Sequence, residues 1–290
     1  MPIKDSELIL NPDGSVYHLN LKPEHLAPTV ILVGDQDRVS KITKHFDTVE
    51  HSIQKREFKT ETGTYNGKRI SVVSTGIGCD NIDIVLNELD ALVNIDFKTR
   101  TIKKDITTLN IIRIGTSGSL QKEIPVDSFA ISTDGLDFSG MLHFYNIEAF
   151  RSFPFEDAFV VHTQWNANKA LPVLISNNKT LEKVFSSDQT KLGVTATASG
   201  FYGPQGRVLR LSTQDPDLND KIHTFNFEGK KIVNFEMETA AIYGLSALLG
   251  HNALSLNAII ANRATGEFSN NPGKLVEDLI TYALGKILKL

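Results

Sequence analysis

Residues 231–241, KIVNFEMETAA, carry an apolar run straight into the uncharged stretch AAIYGLSALLG at 240–250, with Glu236 and Glu238 bracketing Met237 at the changeover. β-Branched residues followed by alanines and leucines read as a buried strand feeding a buried helix. An unpaired charge is costly in such a place, so each acid needs a partner or a ligand. The pattern recurs along the chain. TVILVGDQDR, RISVVSTGIG, NIIRIGTSGS, KLGVTATASG and ALSLNAIIANR are apolar runs that end in small or polar residues, and they read as buried strands followed by loops. Between them, DNIDIVLNELDALVNI places Ile82, Val85, Leu86, Leu89, Leu92 and Val93 on one helical face. PGKLVEDLITYALGKILKL does the same with Leu275, Val276, Leu279, Ile280, Leu284, Ile287 and Leu288. Such alternation predicts an α/β fold, a mixed or largely parallel sheet wrapped by helices, with ligands at the carboxyl ends of the strands.

The 290 residues are 41% hydrophobic, enough for one large α/β core, and no repeat or Pro/Gly/Ser-rich linker divides them. We therefore expect a single domain over 1–290. Thirty basic against 34 acidic residues give a net charge of -4 without a block of one sign, so neither nucleic acid nor a membrane surface is an expected partner. The single cysteine, Cys79, rules out an internal disulfide framework and suits the reducing cytoplasm. The start, MPIKDSELIL, lacks the apolar core of a signal peptide. Residues 239–262 contain no Asp, Glu, Lys or Arg, but interrupting Gly, His and Asn predict a helix, a turn and a strand rather than a membrane span.

Two stretches could hold an oxyanion. GDQDR puts Gly34 after a strand and Arg38 near a helix start, where backbone N–H groups, the helix dipole and a guanidinium can meet phosphate. An ordinary turn with a solvated arginine reads equally well. In RIGTSGS, Arg113 sits inside an apolar strand and needs an anionic partner, either a ligand or a structural ion pair. Neither matches the phosphate loops of nucleoside triphosphate or dinucleotide sites. No Cys/His spacing suggests zinc, and no motif assembles a Ser/His/Asp triad.

GDQDR, REF, STGIG, RIGTSGS, FYGPQGR, NFEMET and NR, in that order, resemble the nucleoside phosphorylase family, and within it the uridine phosphorylases. The resemblance implies a single α/β domain around a distorted mixed sheet, assembled as dimers or dimer-based hexamers with sites shared between subunits. It implies attack of inorganic phosphate on C1′ of a nucleoside, here uridine or a related pyrimidine nucleoside, giving the free base and α-ribose 1-phosphate. Gly34, Arg38, Arg113 and Thr116 would hold phosphate, completed by Arg56 of the neighbouring subunit. His18 would cross the interface to the ribose, which Met237 and Glu238 would also grip. Phe201, Gln205 and Arg207 would bind the base, with Glu236 either beside it or balancing an arginine. Arg113, Gln205, Arg207 and Glu238 carry the catalytic expectation.

A carboxamide and a guanidinium suit uracil, which presents two carbonyls around an N–H, and Arg207 would offset the charge growing on the leaving base. Purine-cleaving relatives use an aspartate where this chain has Asn262, which cannot deliver a proton to a purine ring. Arg263 would order the base-side loop or form an ion pair. No metal or organic cofactor is expected. An interface monovalent ion near Glu57 stays open, because Cys79-Asp80-Asn81 departs from the Gly-Pro-Ser common in relatives that bind one. A purine phosphorylase, a nucleosidase and a noncatalytic nucleoside-binding protein are the alternatives.

Overall fold

The computed structural model describes residues 2–290, which form an α/β fold with a mixed sheet and flanking helices. Its packing divides into two compact units, one running through Ile112 with Leu249–Asn252, the other comprising Arg113–Leu248 and Ala253–Leu290.

In the first unit, β1 (Thr29–Val33) leads into α1 (Gln36–Thr43), then β2 (Thr48–Lys55), β3 (Phe58–Tyr65), β4 (Lys68–Ser74) and α2 (Cys79–Asn94). β1 pairs parallel with β4, while β4, β3 and β2 follow antiparallel. All five residues of β1 are buried, as expected of a parallel strand covered on both faces. α2 buries Ile82, Val85, Leu86, Leu89 and Leu92 completely. Each contributes roughly 2 kcal/mol by leaving water. Val93, expected on that face, is only half-buried. A small ribbon, β5 (Ile95–Asp96) with β6 (Thr101–Ile102), follows.

β7 (Asn110–Ser119) runs into the second unit, which continues with β8 (Phe129–Asp137), α3 (Phe153–Thr163), β9 (Val173–Ser176), α4 (Lys179–Phe185), β10 (Thr190–Thr197), α5 (Leu218–Thr224), β11 (Ile232–Glu236), α6 (Thr239–Leu249), β12 (Asn252–Asn262), β13 (Glu267–Phe268) and α7 (Pro272–Ile287). β10 lies parallel between β8 and β11. β11 meets β7 antiparallel, and β12 pairs antiparallel with β8 and β13. The uncharged segment 239–262 is thus a helix, a turn at Gly250-His251 and a strand, and among the described residues no helix is long and apolar enough to cross a membrane.

Two further expectations are corrected. Gly115-Thr116-Ser117-Gly118 was expected to leave the strand as a loop, but β7 continues to Ser119, because Gly118 and Ser119 find ladder partners in Phe235 and Asn234 of β11. The periodicity places Leu288 on the buried face of the last helix, but α7 ends at Ile287, and Leu288, its C-cap, is 40% exposed.

Candidate active site

The junction between β11 and α6 accounts for both acids. The Glu236 carboxylate, almost wholly buried, accepts the Thr197 hydroxyl (2.6 Å) on one oxygen and the backbone N–H groups of Glu238 and Thr239 (2.8 Å each) on the other. It therefore satisfies donors left over at the start of α6 and places negative charge at the positive end of that helix. Burial pushes its pKa up, and the Arg113 guanidinium 3.4 Å away works against that rise. Glu238 accepts from Arg113 Nη2 at 2.5 Å, a charge-assisted contact between buried groups. Burial opposes the Arg113 charge, but Glu238 and Glu236 more than offset it and hold the guanidinium pKa above its ordinary value.

Arg113 folds back over its own strand. A Cβ on Gly115 would lie 2.0 Å from Arg113 Nη1 and 2.9 Å from Asn257 Oδ1, so the glycine leaves the space that the guanidinium fills. Asn257, on β12, accepts from Nη1 at 2.9 Å. This residue was not anticipated, although a lone asparagine inside the apolar run LSLNAII carried the same signal as the arginine inside NIIRIG. Thr116, half-buried, is next along β7 from Gly115, and Met237 lies between the two acids.

A second cluster is built on the 3-10 turn Gly203–Gln205. Gln205 is 2% exposed. Its Oε1 accepts from Arg207 Nη1 (2.6 Å) and Arg263 Nη2 (3.0 Å), while its backbone carbonyl accepts from Arg263 Nη1 (2.5 Å). Two guanidiniums on the oxygen end fix the amide's orientation. Arg207 also lies over the Phe201 ring, 3.7 Å from its centroid, and Arg263 lies 5.3 Å from the centre of Phe235. Burial lowers the pKa of both arginines, and with the Arg207 charge nearby Arg263 falls to about 10. Phe201, Gln205 and Arg207 are thus brought together, and Arg263 serves the loop through Gln205 rather than through an acid.

Asn262 is fully engaged. Its Nδ2 donates to the carbonyls of Gln121 and Ile124, and its Oδ1 accepts the N–H groups of Ala264 and Thr265. An aspartate could not make the first pair of bonds.

The first unit holds the remaining expected residues. Gly34 follows β1, its missing Cβ lying 3.4 Å from the Gly76 carbonyl, and Asp35 caps α1 by accepting the Asp37 N–H. Arg38, half-buried, stands one turn into that helix. Arg56 occupies the turn between β2 and β3 with φ +55°, its side chain 5.8 Å from the Tyr17 ring and its carbonyl accepting from Gln36. His18 meets Glu88 through Nδ1 at 2.7 Å, while the backbone N–H groups of His18 and Leu19 donate to the same carboxylate. Glu57 lies against the STGIG loop, its Cγ 3.2 Å from a Cβ built on Gly76. Among the described residues no three His, Cys, Asp or Glu side chains gather as metal ligands would.

The chain is similar to known phosphorylases in sequence and fold. The uridine phosphorylase of Thermococcus kodakarensis is 30% identical over 282 residues, 95% of this chain and 87% of that one. A DeoD-type purine nucleoside phosphorylase of Bacillus thuringiensis is 29% identical, with 86% and 88% covered. The crystal structure of a Trypanosoma brucei nucleoside phosphorylase, described as showing uridine phosphorylase activity, superposes with a TM-score of 0.87 at 27% identity, covering 98% of this chain and all of that one. The sequence profile of the phosphorylase superfamily matches residues 28–284. The chain belongs to the phosphorylase superfamily.

Proposed function

We propose that the protein catalyses the reversible phosphorolysis of uridine to uracil and α-ribose 1-phosphate. The observation that carries this reading is the buried Gln205 carboxamide with Arg207 and Arg263 on its oxygen and Phe201 beneath Arg207. Arg207 can exchange its bond to Gln205 Oε1 for a uracil carbonyl, which frees that oxygen to accept the uracil N–H, and the cation offsets charge on the departing ring. Asn262, committed to four backbone groups, has no proton to give a purine.

On this reading phosphate takes over donors of Arg113, and Glu238 is released to accept ribose hydroxyls and to favour the positive charge developing on the sugar. Gly34, Arg38, Arg56 and Thr116 complete the phosphate set, and His18 and Met237 the ribose set. Glu236 supports α6 and balances Arg113 more than it binds the base. We further propose a cytoplasmic role in pyrimidine salvage by a homodimer or dimer-based hexamer whose subunits share sites, as a single domain over 1–290.

Incubation with uridine should release uracil and ribose 1-phosphate only when phosphate is present. Faster turnover of inosine would favour a purine enzyme, base release without phosphate a nucleosidase, and binding without cleavage a noncatalytic protein. Arg207→Ala should lower kcat/KM for uridine about 100-fold, with thermal stability little changed. Equal loss of fold and activity would make Arg207 structural.

A further inference from the structure

A cavity of about 450 Å³ opens behind the turn that carries Gln205, beyond the carboxyl ends of β8 and β10. Phe138, Trp165, Pro204 and Leu218 give it apolar walls, and Ser139, Ser199, Ser212, Thr213 and Gln214 give it a polar rim. Its charged groups are of opposite sign, Lys169 and Asp215. Lys169 lies over the Trp165 ring at 4.9 Å, and Asp215 pairs with Lys221 at 2.9 Å. Rings for stacking, short hydroxyls for directed hydrogen bonds and balanced charge suit a neutral, planar heteroaromatic molecule, and the volume is that of a small-ligand site.

This cavity is separate from the base cluster yet physically joined to it. Gly203 and Pro204 line it, and the next residue is Gln205. A row of rings makes a second connection. Trp165 meets Phe138 at 4.8 Å, Phe138 meets Phe235 edge-on at 6.2 Å, and Arg263, which holds Gln205, lies over Phe235 at 5.3 Å.

We propose that this cavity is a second ligand site, for a neutral heteroaromatic ring of nucleobase size, and that its occupant pins the Gln205 turn and strengthens pyrimidine binding. The first part stands on the cavity alone; the second rests on the function proposed above. Trp165 is the only tryptophan in the chain, so its fluorescence reports the cavity directly. Titration of the whole protein with adenine should quench that emission saturably, with a Kd below about 1 mM, typical of a weak small-ligand site.

At saturation the Kd of uridine measured without phosphate should fall about fivefold, lowering the KM for uridine with the KM for phosphate unchanged, and uridine should tighten adenine binding by the same factor as its own Kd, as linkage requires. Thr213→Phe, which fills the rim, should remove the quenching and leave uridine turnover in the absence of adenine within about twofold, as expected for a position away from the chemistry. Absence of saturable quenching in the wild-type protein would overturn the site, as would quenching that Thr213→Phe retains or that uridine abolishes by competition. Quenching without any change in the KM for uridine would overturn the coupling alone. Absence of uridine turnover would overturn the function while leaving the quenching result to stand.

Discussion

Asn262 shows how one atom can decide a residue's chemistry. Its amide donates to two buried carbonyls and accepts from two N–H groups, so Asn262→Asp exchanges two donors for a carboxylate oxygen facing them. Unpaired carbonyls and a buried charge together should cost roughly 3 kcal/mol, measurable as a lower denaturant midpoint at neutral pH. Retained stability together with new inosine turnover would mean that the position is held for base choice. Asp137 is the opposite case. One of its oxygens accepts the backbone N–H and hydroxyl of Ser139, and the backbone N–H groups of Gly140 and Leu142 also act on the buried carboxyl. Burial raises its pKa, with the Ser139 bonds opposing the rise. A carboxyl raised on folding contributes stability in acid that is lost as pH climbs through its folded value. Asp137→Asn keeps the acceptor and removes the buried charge, so it should raise the melting temperature at pH 7 by about 2–4 °C. The gain should vanish as pH falls below the ordinary carboxylate range. A variant less stable at pH 7 would show that the charge itself has a partner.

Elements were legible where their own residues determined them, and illegible where a distant strand did. The apolar runs at β1, β4, β7, β10, β11 and β12 and the periodic faces of α2 and α7 could be read because burial of one face imposes a local pattern. β7 ran past the expected loop because its last residues are held by β11, more than a hundred positions away. The Gln205-x-Arg207 spacing was readable in the chain, but the contact between Arg263 and Gln205, 58 residues apart, was not. Arg113 announced itself as a charge in an apolar strand, whereas its support depends on β12 and on the missing side chain of Gly115. Gly115→Ala tests that support. The added methyl would fall 2.0 Å from Nη1 and must displace the guanidinium. A catalytic group displaced by about 1 Å can cost 100-fold in rate, so kcat/KM for uridine should drop by about that much while β7 stays folded. Near-normal kinetics would show that the pose of Arg113 does not matter to turnover.

At the scale of the whole molecule, the superfamily match begins at residue 28 and ends at 284, so it includes Arg56 and Arg113 and starts after His18. Arg56 sits in an exposed turn at φ +55°, whereas Arg113 is buried between two acids. These unlike settings are what the proposed function asks of them, one residue offered to a neighbouring subunit and the other fixed at the chemistry. The proposed sharing of sites in a homodimer makes a quantitative prediction. Arg56→Ala and Arg113→Ala should each abolish activity in a homodimer. In a mixed dimer, the Arg56→Ala subunit contributes its Arg113 and the other subunit its Arg56, so one site of the two is intact. Co-refolding the variants in equal amounts should make half of the dimers mixed and restore about one quarter of wild-type activity. If each chain instead carried a self-contained site, no mixture would exceed the sum of its inactive parts, and an assay across mixing ratios would stay flat where shared sites require a maximum at equal proportions.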